Sequence, residues 1–183
     1  MKRSQVLITV VGRDRPGIVE KISGNIVECG GNVEQSRMAR LGGEFAAFLL
    51  VSVAEAGVDK LSRALETHGS AELVVTTRLA SSHRPAEGAV PHTLTVRGAD
   101  HEGIIHDFGA LMARRGINIA EMTTSVDPSP VSGTPMFSMR ATVEVPTSIP
   151  VKDLRQWIDD LADELAVDAE LKVQGPGPSS LGL

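Results

Sequence analysis

Two short segments of the chain combine glycine, aspartate and asparagine in a pattern suited to holding a small polar ligand. In the first, Gly12, Asp14 and Gly17 lie between a β-rich apolar run and a helical pattern. Free backbone N–H groups at a helix start, together with the helix dipole, favour a carboxylate. Asp14 could accept a hydrogen bond from an ammonium group, and Asn32, beyond the helix, can both donate and accept. The glycines would let a ligand approach the backbone.

The same spacing recurs 86 residues further along the chain, at Gly98, Asp100, Gly103 and Asn118. The shared skeleton is T-V-x-G-x-D-x-x-G-I, followed twelve residues later by G-x-N. Chance produces scattered identities, but it rarely keeps so many glycine, aspartate and asparagine residues in step. The sequence therefore predicts two copies of one structural unit.

A plainer interpretation of these residues stays open. Asp14 and Asp100 can act as helix N-caps, because an aspartate side chain accepts hydrogen bonds from the first backbone N–H groups. The glycines can be turn formers. Asn32 and Asn118 can hold a helix-to-strand connection. These roles need no ligand.

Each repeat predicts the element order β-α-β-β-α-β. In the first, Asp14 and Pro16 favour a helix start, apolar residues then recur at helical spacing, and Gly30 ends the helix. A hairpin turns at 42–43. The predicted strands are 6–11, 32–41, 44–53 and 72–79, with a second helix at 59–68.

The second repeat predicts the same elements with one difference. Its hairpin loop, residues 127–135, is longer and contains three prolines, which is typical of a specialised or mobile loop. Its helices carry apolar stripes that end at Gly116 and near Leu165. The predicted strands are 92–97, 118–126, 136–145 and 169–173.

This order predicts an α+β fold made of two tandem ferredoxin-like domains, each an antiparallel sheet with both helices on one face. The first domain is expected at 1–80 and the second at 92–174. A linker rich in Ser, Pro, Ala and Gly is expected at 81–91, and a disordered tail at 175–183. Since the second sheet face also needs cover, we expect side-by-side domains and a homodimer.

Composition and charge narrow the function. The net charge of −5 is unlike the basic face of most nucleic-acid-binding domains, and no helix-turn-helix is evident, so no direct nucleic acid contact is expected. No stretch is long enough to cross a bilayer. No signal peptide is recognised, which predicts a cytoplasmic protein. Cys29, the single cysteine, is expected to be a reduced, buried thiol.

Signatures of catalysis and metal binding are missing from the sequence. It has no GxSxG, no P-loop and no paired-carboxylate pattern, so we expect no enzymatic activity and no cofactor. His101 and His106 lie near several acids, but a spacing of five residues does not place them on one helix face. We therefore expect no metal.

Three segments carry a resemblance to a known family: 11–19 (VGRDRPGIV), 29–37 (CGGNVEQSR) and 38–45 (MARLGGEF). They resemble the first ACT domain of the glycine cleavage system transcriptional repressor family. The resemblance covers about residues 5–174 and is weaker in the second repeat, where His101-Glu102 replaces Arg15-Pro16. Similar motifs occur in ACT domains attached to amino-acid enzymes, and the layout of two ACT units favours the repressor family.

The resemblance implies both a role and a site. The role is control of glycine-cleavage gene expression through a DNA-binding activator, with glycine as the signal. In ACT proteins an amino acid typically lies between such a loop and the neighbouring domain. The implied ligand-binding residues are Gly12, Asp14, Arg15, Pro16, Gly17, Ile18 and Asn32 in the first repeat, and Gly98, Asp100, His101, Gly103 and Asn118 in the second.

Three hypotheses follow. The first is an amino-acid-responsive transcriptional regulator that acts through protein contacts. The second is a stand-alone ACT module that modulates an amino-acid metabolic enzyme, with or without a ligand. The third is a hydrolase or transferase whose catalytic domain is encoded separately, which the missing catalytic signatures disfavour.

Overall fold

Two four-stranded antiparallel sheets organise the chain, one in each of two compact units, Met1–Ser82 and His83–Leu183. The computed structural model describes residues 2–67, 72–80 and 88–174. Residue 68 of the second predicted helix, residues 81–87 of the predicted linker and the predicted tail 175–183 lie outside the described residues. In the described part of the chain no helix has the length and apolar character that a membrane crossing requires.

The first unit has the predicted element order. Its sheet order is β2-β3-β1-β4, with β1 at the centre between two antiparallel partners. A short 3-10 helix, Glu55–Gly57, precedes the second α-helix. The elements are β1 (Arg3–Arg13), α1 (Ile18–Glu28), β2 (Asn32–Leu41), β3 (Glu44–Ala54), α2 (Val58–Glu66) and β4 (Leu73–Leu79).

The second unit repeats this topology, with the sheet order β6-β7-β5-β8. The two sheets confirm the predicted ferredoxin-like α+β fold. Strand β5 begins inside the segment that the sequence assigned to the linker. The elements are β5 (Val90–Ala99), α3 (Ile104–Arg114), β6 (Asn118–Pro128), β7 (Pro135–Val145), α4 (Val151–Glu164) and β8 (Val167–Val173).

Alternation along the central strands places the core on one face of each sheet. In β1, Val6, Ile8 and Val10 are buried against the apolar stripes of the two helices. Side chains along a strand point alternately to opposite faces of the sheet, so the residues between these three lie on the face away from the helices. In the second unit, α3 and α4 pack against one face of the sheet in the same way and form the second core. The partly buried Trp157 packs against this core. The guanidinium carbon of Arg115 lies 3.6 Å from the centre of the Trp157 ring, a cation–π contact between the end of α3 and α4.

The outer faces of the two sheets differ in chemistry. In the first unit this face carries Leu7, Phe48, Leu50 and Val74, and more than half of the Phe48 and Val74 surfaces is exposed. In the second unit the same register positions hold polar or charged residues. The apolar cover that the sequence led us to expect is therefore needed by the first sheet alone. The residues at the matching positions are Thr93, Arg140, Thr142 and Asp168.

Helix α1 begins four residues after Asp14, so the predicted N-cap at Asp14 is wrong. The cap position belongs to Gly17, which has φ +92°, and no side chain caps the helix. A left-handed residue interrupts helical geometry, so the helix cannot extend back through Gly17. Asp14 instead donates its backbone N–H to the Gly43 carbonyl oxygen at 3.1 Å. Helix α3 repeats this arrangement, with Gly103 at φ +98°.

The second hairpin loop is shorter than the sequence predicted. Strand pairing continues to Pro128 opposite Pro135, which leaves residues 129–134 as the loop. Two backbone hydrogen bonds of 2.8 Å close it, from the N–H of Ser129 to Thr134 and from the N–H of Gly133 to Ser129. Pro128 and Pro135 therefore lie at the strand ends, and Pro130 lies within the six-residue loop.

Gly12 is required by strand packing. A Cβ at this position would overlap the Glu72 carbonyl oxygen and come within 2.8 Å of the Leu73 Cα. Both groups are backbone and can yield only if β4 moves. A Cβ at Gly98 would likewise lie only 2.6 Å from Val167 Cγ1. The absent side chain at both positions lets the fourth strand pair with the central strand.

We expect Gly12→Ala to lower the free energy of unfolding by about 1–3 kcal/mol, because β4 must shift to admit the methyl group. Gly24→Ala in α1 is the matched control: nothing lies within 4 Å of its Cβ position, and alanine is the better helix former by up to about 1 kcal/mol. Urea denaturation followed by circular dichroism measures both. A Gly12→Ala protein as stable as the wild type would contradict the packing role.

Candidate functional site

A cleft of about 610 Å³ lies at the start of α3 in the second unit. It brings together three of the site residues predicted from the sequence, Asp100, His101 and Gly103. Gly98 and Asn118 are not among its lining residues. The rest of the lining comes from the first turn of α3, residues 104–106, from residues 124–126 of β6, and from Phe137 of β7.

The start of α3 supplies hydrogen-bond donors to this cleft. The first hydrogen bond of the helix runs from the N–H of Asp107 to the Gly103 carbonyl oxygen, at 2.9 Å. The N–H groups of residues 104–106 therefore have no partner within the helix. Such groups, with the positive end of the helix dipole, favour an anion. Asp100 adds a carboxylate that suits a cation, and Thr124 adds a hydroxyl.

His101 positions the loop of this cleft. Its Nδ1 lies 3.0 Å from the Glu102 carbonyl oxygen and its Nε2 lies 2.9 Å from the Leu165 carbonyl oxygen, at the end of α4. Carbonyl oxygens only accept, so both bonds form when the ring carries two N–H groups. The Glu102 carbonyl, then the Leu165 carbonyl and the charges of Asp100 and Asp107, raise the pKa of His101 above 6.5. These two contacts tie the β5–α3 loop to the end of α4.

A small crevice in the core of the first unit shares part of the lining pattern of this cleft. About 10 Å³ remains between α1 and the strands, lined by Ile18, Val19, Met38 and Phe45 among others. The repeat and the strand register match these four residues to Ile104, Ile105, Thr124 and Phe137 of the cleft. Ile18 itself is 4% exposed and belongs to the core.

The loop of the first unit lines a different, smaller pocket. Arg15, Pro16, Gly17 and Ile18 surround about 100 Å³ together with Lys21, Ile22 and Leu73. Asp14 is turned to another partner: its Oδ2 lies 3.7 Å from Nη1 of Arg40 on β2. Four of the predicted residues thus share one pocket, but Asp14 is engaged outside it.

The two asparagines lie far from the loops of their own units. Asn32 pairs with Ser52 and Arg13 pairs with Glu44. These partners are eight residues apart on β3, a distance of about 26 Å at about 3.3 Å per residue. Asn118 opposes Glu144 in the same way, and its Nδ2 donates to Glu144 Oε2 at 2.8 Å. Within one unit the structure does not bring the asparagines to the loop.

A local polar network surrounds Asn32 instead. Its Nδ2 donates to Glu34 Oε1 at 3.4 Å, and the Ser52 hydroxyl donates to the same oxygen. The hydrogen bond from Ser52, then that from Asn32, lowers the pKa of Glu34. Among the described residues, no group of three or more histidine, cysteine or acidic side chains is arranged to hold a metal ion.

Sequence reasoning did not single out the β6 residues that line the cleft, Thr124, Ser125 and Val126. Met38 and Arg40 in the first unit stand where Thr124 and Val126 stand in the second, again 86 residues apart. The repeat contains this signal, but only the three-dimensional packing shows that these positions face the helix start. Neither pair belongs to the G-x-D-x-x-G motif.

We expect the ring of His101 to titrate above 6.5 in the folded protein, as its two carbonyl contacts favour the charged form. A raised folded-state pKa stabilises the fold fully at pH values below the unfolded pKa, and this contribution is lost as pH rises through the folded pKa. Melting curves of wild type and His101→Gln should therefore differ most at pH values below the unfolded pKa, and they should converge as the pH rises through the folded pKa. NMR titration of the ring is the direct measurement, and a value at or below 6.5 would refute the two-donor arrangement.

Comparison with known proteins identifies the family to which the chain belongs. The ACT domain family matches residues 4–79. The glycine cleavage system transcriptional repressor of Escherichia coli (strain K12) is 30% identical over 172 residues, which cover 92% of this chain and 89% of that protein. The similarity thus spans both units.

Solved structures show the same two-unit fold. An unknown protein from Galdieria sulphuraria superposes with a TM-score of 0.84 at 34% identity, covering 95% of this chain and 100% of that one. A crystal structure described as a proposed glycine cleavage system transcriptional repressor has a TM-score of 0.66 at 24% identity, over 94% and 98% of the two chains. On its sequence identity to the Escherichia coli protein over most of both chains, this chain belongs to the glycine cleavage system transcriptional repressor family.

Proposed function

We propose that this chain is a non-catalytic regulator that senses a small amino acid, glycine first among the candidates, and controls the expression of glycine-cleavage genes through contacts with another protein. The observation that carries the proposal is the 30% identity to a protein named as the repressor of this system, extending over 92% of the chain. A match confined to one unit would support an ACT domain without supporting the regulator.

The cleft in the second unit supports the sensing part. It combines N–H donors at a helix start with the Asp100 carboxylate, and an α-amino acid carries the complementary carboxylate and ammonium groups. Its volume of about 610 Å³ admits amino acids larger than glycine. The choice of glycine therefore comes from the name of the relative and not from the size of the cleft.

The charge of the chain supports regulation through a protein partner. A net charge of −5 gives little attraction to a nucleic acid backbone, and the family resemblance makes a DNA-binding activator the proposed partner. A homodimer is part of the proposal, since β2 and β6 each lie at an edge of their sheet, and an edge strand can pair with a strand of a second chain. The cytoplasmic location expected from the sequence stays a prediction.

A thermal-shift screen against the twenty amino acids tests the sensing function. A ligand that binds only the folded state stabilises it by about 2.7 kcal/mol at a hundredfold excess over Kd, so glycine should raise the melting temperature in a concentration-dependent way. A shift with another amino acid alone would keep the sensor and reassign its signal. If no amino acid shifts the melting temperature at millimolar concentrations, the sensing function is wrong.

Affinity capture from cells with the tagged full chain tests the regulatory function. We expect a DNA-binding transcription activator among the captured proteins, and we expect added glycine to change its yield. Recovery of an amino-acid metabolic enzyme in its place would favour the second hypothesis drawn from the sequence, an ACT module that modulates an enzyme.

A further inference from the structure

The face of the first sheet that lies away from the helices carries contiguous apolar residues. Leu7 lies opposite Leu50, and Val11 lies opposite Val74. Phe48 occupies the row between these two pairs. The exposed fractions of Val11, Phe48 and Val74 are 46%, 53% and 58%. Contiguous exposed apolar residues on a soluble protein mark an interaction site, and we call this surface the outer apolar face.

The fold itself does not require apolar residues on this face. The second unit forms a sheet of the same topology, with Thr93 in place of Leu7 and Asp168 in place of Val74 at the matching register positions. Both sheets therefore fold with different chemistry on this face. The apolar surface of the first unit needs a reason other than the sheet, and binding supplies one.

Arginines border the outer apolar face on both edge strands. Arg37 of β2 lies opposite Phe48, and Arg78 of β4 lies opposite Leu7. Residues paired in this way share one face of the sheet. Arg37 also lines a groove of about 410 Å³ together with Leu7, Phe48 and Leu50. A partner thus meets apolar side chains in the middle of the face and positive charge on its two sides.

The acidic residues near this face lie at the ends of the strands. Glu44 is opposite Arg13 at one end, and Glu34 accepts a hydrogen bond from Ser52 at the other. The three rows between these ends contain no carboxylate among their paired residues. Charge complementarity therefore requires a partner that is apolar along its centre and acidic along both flanks.

The dimensions of the face suit a single helix. Neighbouring strands are about 4.8 Å apart, so the two edge strands β2 and β4 are separated by about 14 Å. An α-helix with its side chains is about 10 Å across and fits between the two edges, with its flanks beside the arginines. The three rows cover roughly 300 Å², well below the about 800 Å² per partner that a stable dimer buries.

A second copy of the chain does not supply this helix from its described residues. The apolar stripes of α1, α2, α3 and α4 are all buried against their own sheets. Contact between the same faces of two copies would also bring the arginines of both chains to one interface. The complementary helix therefore belongs to a different protein.

We propose that the outer apolar face binds an acidic amphipathic helix of the regulatory partner. Apolar residues of that helix contact Leu7, Phe48 and Leu50, and its carboxylates lie beside Arg37 and Arg78. This inference rests on the proposed function, in which the chain acts through a protein partner, and adds the surface and the kind of segment that it recognises.

A synthetic helical peptide of about fifteen residues tests this chemistry on the full chain. It carries leucines at i, i+3, i+4 and i+7 and glutamates on both flanks, and a control peptide has lysines in place of the glutamates. Fluorescence anisotropy of the labelled peptides should show binding of the acidic peptide that is at least about tenfold tighter and that weakens with added salt. Equal binding of the two peptides, or none of the acidic one, would overturn the inference.

Matched variants locate the binding surface. Phe48→Glu and Arg78→Glu should each weaken the acidic peptide at least about tenfold. Arg140→Glu and Lys172→Glu make the same changes of charge at the matching positions of the second unit and should leave binding unchanged. Circular dichroism checks that all four variants fold. If Phe48→Glu and Arg78→Glu bind as the wild type does, the surface is wrong.

Analytical ultracentrifugation tests the other occupant of the face. The wild type and Phe48→Glu should show the same oligomeric state. A wild-type dimer that Phe48→Glu converts to a monomer would mean that a second copy covers the face, and the inference would be wrong.

Affinity capture separates this inference from the proposed function. Recovery of a DNA-binding activator by the wild type, with its loss in Phe48→Glu but not in Arg140→Glu, supports both. Equal recovery by the wild type and Phe48→Glu would keep the proposed function and reject the surface. Binding of the acidic peptide at this face, with no activator recovered by any form of the chain, would keep the surface and reject the proposed regulatory function.

Discussion

A left-handed glycine at the start of the first helix of each unit constrains everything around it. Gly17 and Gly103 have φ values of +92° and +98°, a conformation that costs other residues roughly 1–2 kcal/mol. The glycine ends the loop after the central strand and turns the chain into the helix. It thereby fixes where the free N–H groups point and where the aspartate upstream must lie. In each unit, the central strand, the first helix and the loop between them are all connected through this turn.

The sequence predicted the sheet topology well, because local signals and topology agree. Alternation in β1 and β5, the turn at Gly42-Gly43 and the 86-residue repeat all indicate the same βαββαβ unit. The helix start was misplaced for a physical reason. Aspartate is a good N-cap residue, but here the Asp14 N–H is held by the hairpin, and the helix begins only after the left-handed Gly17.

The candidate site was only partly predictable. The motif found the loop, yet the partner of His101 is a carbonyl 64 residues away, a contact that no local pattern encodes. The asparagines were grouped with the loop because the motif includes them, and the strand register places them at the other end of the sheet. The strand residues Thr124 and Val126, which line the cleft, are replaced by Met38 and Arg40 at the matching positions of the first unit. Single side chains of this kind change a cavity without changing a fold.

The contact between Arg115 and Trp157 at the end of α3 lies beside the main source of the chain's intrinsic fluorescence. Trp157 is the single tryptophan and the chain has no tyrosine, so its near-ultraviolet absorption and its intrinsic emission come almost entirely from the second unit. The Arg115 guanidinium stacked on the indole makes that emission sensitive to the separation of α3 from α4. Emission therefore follows the loss of structure in one half of the molecule, while far-ultraviolet dichroism follows both. A difference between the two curves would separate the stabilities of the two units in an unlabelled protein.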